Sequence, residues 1–388
     1  MTSIQPGDLA VDRELASISG SFSFLVDLTP TNVAEAKETF LTDPSEPPRF
    51  TYRHLEDAPE VLRARVKAVD VSSVQDPTLS HLFAAKKREL ELQLEMLSAR
   101  ETDEFLGLSA ELYGSVSPSL EETATEILSS VPSTASPRGH CLAAPALARR
   151  ARTEVKNYQK MAPDMGVTVD IRSDLSGVMV SNGDLLIADN VSVASSRLPG
   201  LMAHEIGTHV LTYVNGLRQP LKLLAAGLAG YEETQEGLAL IAEAMMGGLT
   251  ASRLRQIAAR VITVRRRLAA EPFRAAHHEL VESFGFSPGG AFTIVMRVYR
   301  AGGLTKDAVY LRGLQDLVGY ITEGHSLASL WVGKLALIDL PLVDDLRRRG
   351  LLDDPHLLPR FLDDPTAQGR LRAIASSQGL HTLIGVEA

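Results

Sequence analysis

The hexapeptide His204-Glu205-Ile206-Gly207-Thr208-His209 constrains this chain more than any other feature. It sits inside MAHEIGTHVLTYV, an otherwise nearly apolar stretch that reads as an interior helix running from about Gly200 through Val214. Three ionisable or metal-competent side chains in such a helix need partners. Two imidazoles are natural zinc ligands, and the carboxylate between them in sequence is placed to activate a water at the ion. The spacing, however, is HExxxH. In a regular α-helix two positions five apart are rotated by about 500°, which leaves the imidazoles about 140° out of register. His204 and His209 can meet one ion only if the helix widens locally into a π-type turn. Gly207 and Thr208 are weak α-helix formers and make that distortion feasible. The competing reading places both histidines at the edge of the core and leaves Glu205 a surface charge.

A catalytic zinc takes a third protein ligand and keeps a position open for water. No histidine lies close downstream; the next are His277 and His278. Carboxylates are available in YEETQEGLALIAEAMM, where Glu236 and Glu243, seven apart, share a helical face that Glu232 joins one turn earlier. Glu236 opens the apolar run and is the best third ligand, whereas Glu232 and Glu233 lie at the more exposed helix start. Glu243 is the candidate to orient a histidine from behind, a role such ligands commonly require; its alternative is a paired helix residue. Gly237 lets this helix approach a neighbour closely.

The rest of the chain reads as a helix-rich α+β protein with a small sheet just ahead of the HExxxH helix. With 388 residues, 45% of them hydrophobic, a sizeable core is possible. Residues 1–75 carry scattered Pro, Asp and Ser and read as a mixed N-terminal extension. Residues 76–135 read as long amphipathic helices packing on the part of the chain that carries HExxxH, the second helix capped by Ser117 or Ser119. The Ser/Pro-rich stretch Ser129–His140 is the best internal boundary, and 141–388 forms the remaining unit with a helical C-terminal part. Within it VTVDI, GVMV and DLLI read as strands, the last two joined by a tight turn at SNGD. DLLIAD is a candidate edge for pairing with a peptide. A net charge of −9 argues against a nucleic-acid partner. The single Cys141 excludes an internal disulfide and a cysteine-rich metal cage. With no secretory leader and no membrane-length apolar run apparent, the expectation is a soluble, cytoplasmic protein.

HEIGTH, AAGLAGYEETQEGLAL and FTIVMRVYRAGGLTKDAVYLRG together resemble a family marked by a QEGLA motif. Its bacterial members carry names such as flavohemoglobin expression-modulating QEGLA motif protein, and its eukaryotic relatives include the microtubule-associated tyrosine carboxypeptidase. The resemblance runs from about Leu79 to beyond Tyr320. It implies a zincin-like zinc metallopeptidase with one Zn2+ per chain, ligated by His204, His209 and Glu236, with Glu205 as the catalytic residue. It does not imply tubulin as the substrate.

A carboxypeptidase also needs a cation for the substrate's terminal carboxylate, preferably arginine. Arg297, Arg300 and Lys306 are the candidates, the two arginines sharing a face if their segment is helical; a structural pair with Asp307 is the alternative. Tyr310 or Tyr299 is the candidate donor to a developing oxyanion. The basic run Arg253, Arg255, Arg260 and Arg265–Arg267 reads as a solvated, salt-bridged face, and His277-His278-Glu279 as a surface. The expected activity is zinc-dependent release of a C-terminal residue from a peptide or protein, and the family resemblance favours an aromatic one. The alternatives are an endopeptidase or aminopeptidase with the same metal core, and a non-enzymatic regulator with a metal-stabilised fold.

Overall fold

In the computed structural model, residues 3–55, 58–133, 140–173, 175 and 177–384 are described. Half of the Ser/Pro-rich boundary, 134–139, lies outside them. The N-terminal stretch is more helical than its composition suggests, with helices Pro6–Ser19, Phe24–Asp27, Val33–Thr42 and Pro59–Ala68. Pro6 and Pro59 start helices rather than break them, because a proline in the first turn lacks only an N–H that would have no intrahelical partner. Leu15, Ile18, Phe40, Leu62 and Val66 from these helices are buried in the same core as residues of the central and C-terminal parts.

The next amphipathic stretch forms two helices, Pro77–Ser98 and Glu104–Tyr113, with Glu101 left-handed (φ 68°) at the break. Asp76 caps the first, accepting from the backbone N–H of Thr78 and Leu79 at 2.9 and 3.1 Å. Pro118–Ser130 comes next, and Ser117 rather than Ser119 caps it, with Pro118 as the first helical residue.

Five short strands precede the central helix: β1 (Cys141–Ala143), β2 (Val169–Arg172), β3 (Val178–Ser181), β4 (Asp184–Ala188) and β5 (Ser192–Ala194). β1 pairs antiparallel with β5, and a three-stranded sheet has the order β2-β4-β3, with β4 parallel to β2 and antiparallel to β3. Asn182 and Gly183 make the β3–β4 turn with φ of 48° and 86°, the two positive values a tight hairpin needs. β4 is the central strand, so DLLIAD has no free edge and cannot take a peptide by edge pairing; β2 and β3 hold the edges.

The remaining chain is helical: Leu198–His204 and its continuation, then Tyr231–Met245, Ala251–Leu268, Phe273–Glu282, Pro288–Tyr299, Val309–Thr322, Leu340–Arg348 and Pro365–Ala375. Tyr231–Met245 lies centrally and packs on Val309–Thr322, backbone against backbone. A Cβ on Gly237 would stand 2.4 Å from the Gly313 carbonyl, and one on Gly313 only 2.0 Å from the Glu233 carbonyl oxygen. The close approach expected at Gly237 is thus matched by a second glycine on the partner helix. No helix among the described residues is long and apolar enough to cross a membrane.

Alanine has the higher helix propensity, but at position 313 it must push two helix backbones apart. Gly313→Ala is therefore expected to destabilise the protein by about 1–3 kcal/mol, seen as a lowered Tm in thermal unfolding. An unchanged or raised Tm would contradict the contact.

Candidate metal centre

The central helix is α-helical over Leu198–His204, widens into a π-helix over Glu205–Val210, and returns to α-helix over Leu211–Arg218. This is the distortion that the HExxxH spacing demands. Three contacts hold it. The Thr208 hydroxyl donates to the Ala203 carbonyl at 3.1 Å. The Gly207 carbonyl accepts from Trp331 Nε1 at 2.7 Å. Gly207 itself lies under Phe361, where a Cβ would stand 2.8 Å from the ring.

With the turn widened, the two histidines face each other, ring centroids 5.0 Å apart. His204, Glu205 and His209 each present a ligand atom, all within 4.8 Å of one another. From the neighbouring Tyr231–Met245 helix, Glu236 Oε2 comes to 3.9 Å from His204 Nε2 and 4.0 Å from His209 Nε2. Ligands about 2.0–2.1 Å from a tetrahedral zinc lie about 3.4 Å from each other, so Glu236 Oε2 needs to close on each imidazole nitrogen by only about half an ångström to share an ion with it. Two imidazoles and a carboxylate also suit zinc chemically. Glu205 Oε1, 3.9 Å from His204 Nε2, flanks the same point.

Behind His204, Glu243 Oε1 lies 2.7 Å from Nδ1. Burial works against the Glu243 charge, but Arg253, the His204 bond and Arg197 outweigh it and hold the carboxyl below its usual range. An ionised carboxylate only accepts, so Nδ1 carries a ring proton and Nε2 is the nitrogen left to serve a metal when the ring is neutral. Burial holds His209 down to about 4, leaving it neutral. For His204 burial pulls the same way, yet the carboxylates of Glu205, Glu243 and Glu236 raise it overall. The two carboxylates on the Nε2 side of the histidines are driven apart. Burial pushes Glu205 up to about 7, only partly offset by His204. Burial works against the Glu236 charge as well, but His209, Lys306, His204 and Arg253 bring it below its ordinary value. One is suited to remain an anion and the other to carry a proton.

The four substrate-binding candidates have varied surroundings. Arg297 makes a bidentate pair with the buried Asp307 at 2.7 and 2.8 Å. Arg300 does not share its face. The helix ends at Tyr299, because Ala301 (φ 57°), Gly302 and Gly303 all take left-handed backbone, and the buried Arg300 donates to Thr29 Oγ1 at 2.8 Å. Lys306 is buried 3.2 Å from Glu232. Tyr310 has three cations around its ring, Arg260 at 4.9 Å, Lys306 at 5.7 Å and Arg253 at 6.0 Å, and its phenol feels the Glu236 charge. Tyr299 is engaged elsewhere, donating to the Glu271 carbonyl at 2.8 Å.

The basic helix Ala251–Leu268 departs most from expectation. Arg265 and Arg266 pair with acids at its last turn, but Arg255 is buried on the carbonyls of Leu128, Val131 and Phe284. Arg253 and Arg260 turn inward against Tyr310. Arg253 and Arg197, which act on Glu243, are the charged neighbours of the centre that sequence reading missed, while Arg260 pairs with Asp307. The seven-residue spacing of Arg253 and Arg260 was the available signal that both face Tyr310, the same spacing that paired Glu236 with Glu243. His277 and Glu279 do not converge: His277 Nε2 meets the Pro288 carbonyl at 3.0 Å, and Glu279 binds Arg266.

A family model described as microtubule-associated tyrosine carboxypeptidase matches residues 38–378. The chain belongs to that family. Among its relatives, microtubule-associated tyrosine carboxypeptidase 1 of Homo sapiens is 30% identical over 228 residues, covering 54% of this chain and 46% of that protein. The Mus musculus protein of the same name is 27% identical over 226 residues, 54% of this chain and 47% of that one. The chain thus spans about half the length of the curated relatives it matches. A lipoprotein structure from Colwellia psychrerythraea overlays with a TM-score of 0.44 at 15% identity, covering 82% of this chain and 66% of that one.

Trp331→Phe keeps the aromatic packing but strips the buried Gly207 carbonyl of its donor. The expected loss of stability is about 1–3 kcal/mol, measured by urea denaturation. An unchanged midpoint would show that the π turn does not depend on this bond.

Proposed function

We propose that this chain is a zinc-dependent carboxypeptidase acting on the C-terminus of a peptide or protein. The observation that carries the reading is the convergence of His204 Nε2, His209 Nε2 and Glu236 Oε2 on one point, with the buried Glu205 beside it. Membership of a family described as a tyrosine carboxypeptidase supplies the substrate end, and the relatives' name makes tyrosine the first terminal residue to try.

A zinc ion held by His204, His209 and Glu236 would supply Lewis acidity toward a water and the scissile carbonyl. The chain's own residues do the rest. Glu243 locks the His204 tautomer. Glu205 takes a proton from the attacking water and returns it to the departing amine. Burial raises the Glu205 carboxyl, against the pull of His204, into the range where one group can both take and return a proton. Tyr310, on the Glu236 side, is the remaining candidate to donate to the oxyanion. A structural metal has no use for a buried Glu205, which weighs against a non-enzymatic role.

Elemental analysis of chelator-free protein should find one zinc per chain, lost on His204→Ala or Glu236→Gln. Glu205→Gln should keep the zinc and lose at least about 100-fold in hydrolysis, the range a general base supplies. Zinc that survives either ligand replacement, or near wild-type turnover in Glu205→Gln, would reject the assignment.

Matched free-acid, C-terminally amidated and N-acetylated peptides separate the exo- and endopeptidase readings by the products seen in mass spectrometry. Release of the last residue from the free acid alone is expected. Equal internal cleavage of acid and amide would mark an endopeptidase, and activity lost only on N-acetylation an aminopeptidase.

A further inference from the structure

A carboxypeptidase must grip a carboxylate only one residue, about 3.8 Å of backbone, beyond the bond it breaks. The anchor therefore has to stand beside the metal-and-base cluster with donors to spare. Arg297 has given two donors to Asp307, Arg300 reaches Thr29, and Lys306 is paired with Glu232.

An Nε left without a partner is common to Arg253, Arg260 and Arg300, and Arg253 stands apart by its place beside Glu243. Its side chain is only 15% exposed, and its Nε is buried with no hydrogen-bond partner. The carboxylate contact it makes is with Glu243 Oε1 at 3.7 Å, too long for a hydrogen bond, and that same oxygen is already engaged by His204 Nδ1 at 2.7 Å. Arg197, whose Nε is likewise buried without a partner, also acts on Glu243. Two guanidinium groups thus share one carboxylate that is committed elsewhere. Buried donors left unfilled are costly, and an incoming anion removes the penalty. Arg253 is also in electrostatic reach of both Glu205 and Glu236, and it faces the Tyr310 ring at 6.0 Å.

We infer that Arg253, reinforced by the charge of Arg197, binds the terminal carboxylate of the substrate and so imposes the requirement for a free C-terminus. The inference rests on the carboxypeptidase reading for its substrate. An arginine suits the task because its planar fork matches a carboxylate, whereas an amide offers a single acceptor and repels donors with its own N–H groups.

Binding measures the anchor without relying on turnover. The zinc-loaded full chain carrying Glu205→Gln would be titrated calorimetrically with N-acetyl-leucyl-tyrosine and with its C-terminal amide, then again with Arg253→Gln or Arg253→Lys added. The parent should prefer the acid by about 10-fold or more, as expected for charge-assisted hydrogen bonds. Arg253→Gln should bring that ratio to within about 3-fold while zinc content stays at one per chain, and Arg253→Lys should fall between. An acid preference that survives Arg253→Gln overturns this inference alone. Loss of zinc along with the preference also overturns it, since Arg253 would then act only by holding Glu243 in place. Equal binding of acid and amide by the parent overturns the carboxypeptidase reading as well.

Discussion

Six residues of π-helix decide what the rest of this structure has to do. A π turn is a poor use of backbone unless something outside the helix stabilises it, and here the support comes from far along the chain. Trp331 donates to Gly207, and Phe361 occupies the space a side chain at 207 would need. The same C-terminal segment is clamped to the next helix, Leu211–Arg218. Asn215 donates to the carbonyls of Trp331 and Leu357 at 2.6 and 2.8 Å and accepts from Leu357 N at 2.9 Å, while Gln219 exchanges two bonds with Asp353. The widened turn, and with it the facing of His204 and His209, is thereby tied to the packing of residues 331–361.

The second requirement is electrostatic. Glu205, Glu236 and Glu243 crowd two histidines in a region almost closed to water, and such a cluster survives only if each charge is met. Glu243 is met by His204 and two arginines, and Glu236 by both histidines and Lys306. Glu205 has His204 as its largest favourable neighbour and is the carboxyl that burial raises most clearly. The glycine pair Gly237 and Gly313 brings the helix carrying Glu236 and Glu243 against Val309–Thr322, and Gly200, where a Cβ would stand 3.5 Å from Glu243 Cα, brings it against the helix that carries His204.

Much of this was legible in local spacing. The mismatch between five residues and a helical turn demanded a π turn at Glu205–Val210, the seven-residue interval joined Glu236 to Glu243, and Asn182-Gly183 marked its hairpin. What stayed hidden depends on contacts between distant segments. Nothing near Gly207 announces Trp331. In the N-terminal stretch Pro30, Pro44, Pro47 and Pro48 lie outside helices while Pro6 and Pro59 start them, and the neighbouring residues alone do not separate the two cases. Arg297 and Arg300 looked equivalent until the left-handed run at Ala301–Gly303 separated them, and a basic helix looked solvated until Tyr310 was found against Arg253 and Arg260.

The central claim is that the π turn brings His204, His209 and Glu236 onto one zinc ion. X-ray absorption at the zinc edge, on protein purified without chelator, tests it most directly. The account predicts a four-coordinate first shell at about 2.0–2.1 Å with the multiple-scattering signature of two imidazoles and the remainder oxygen. A shell with one imidazole or none, or one containing sulfur, would contradict it.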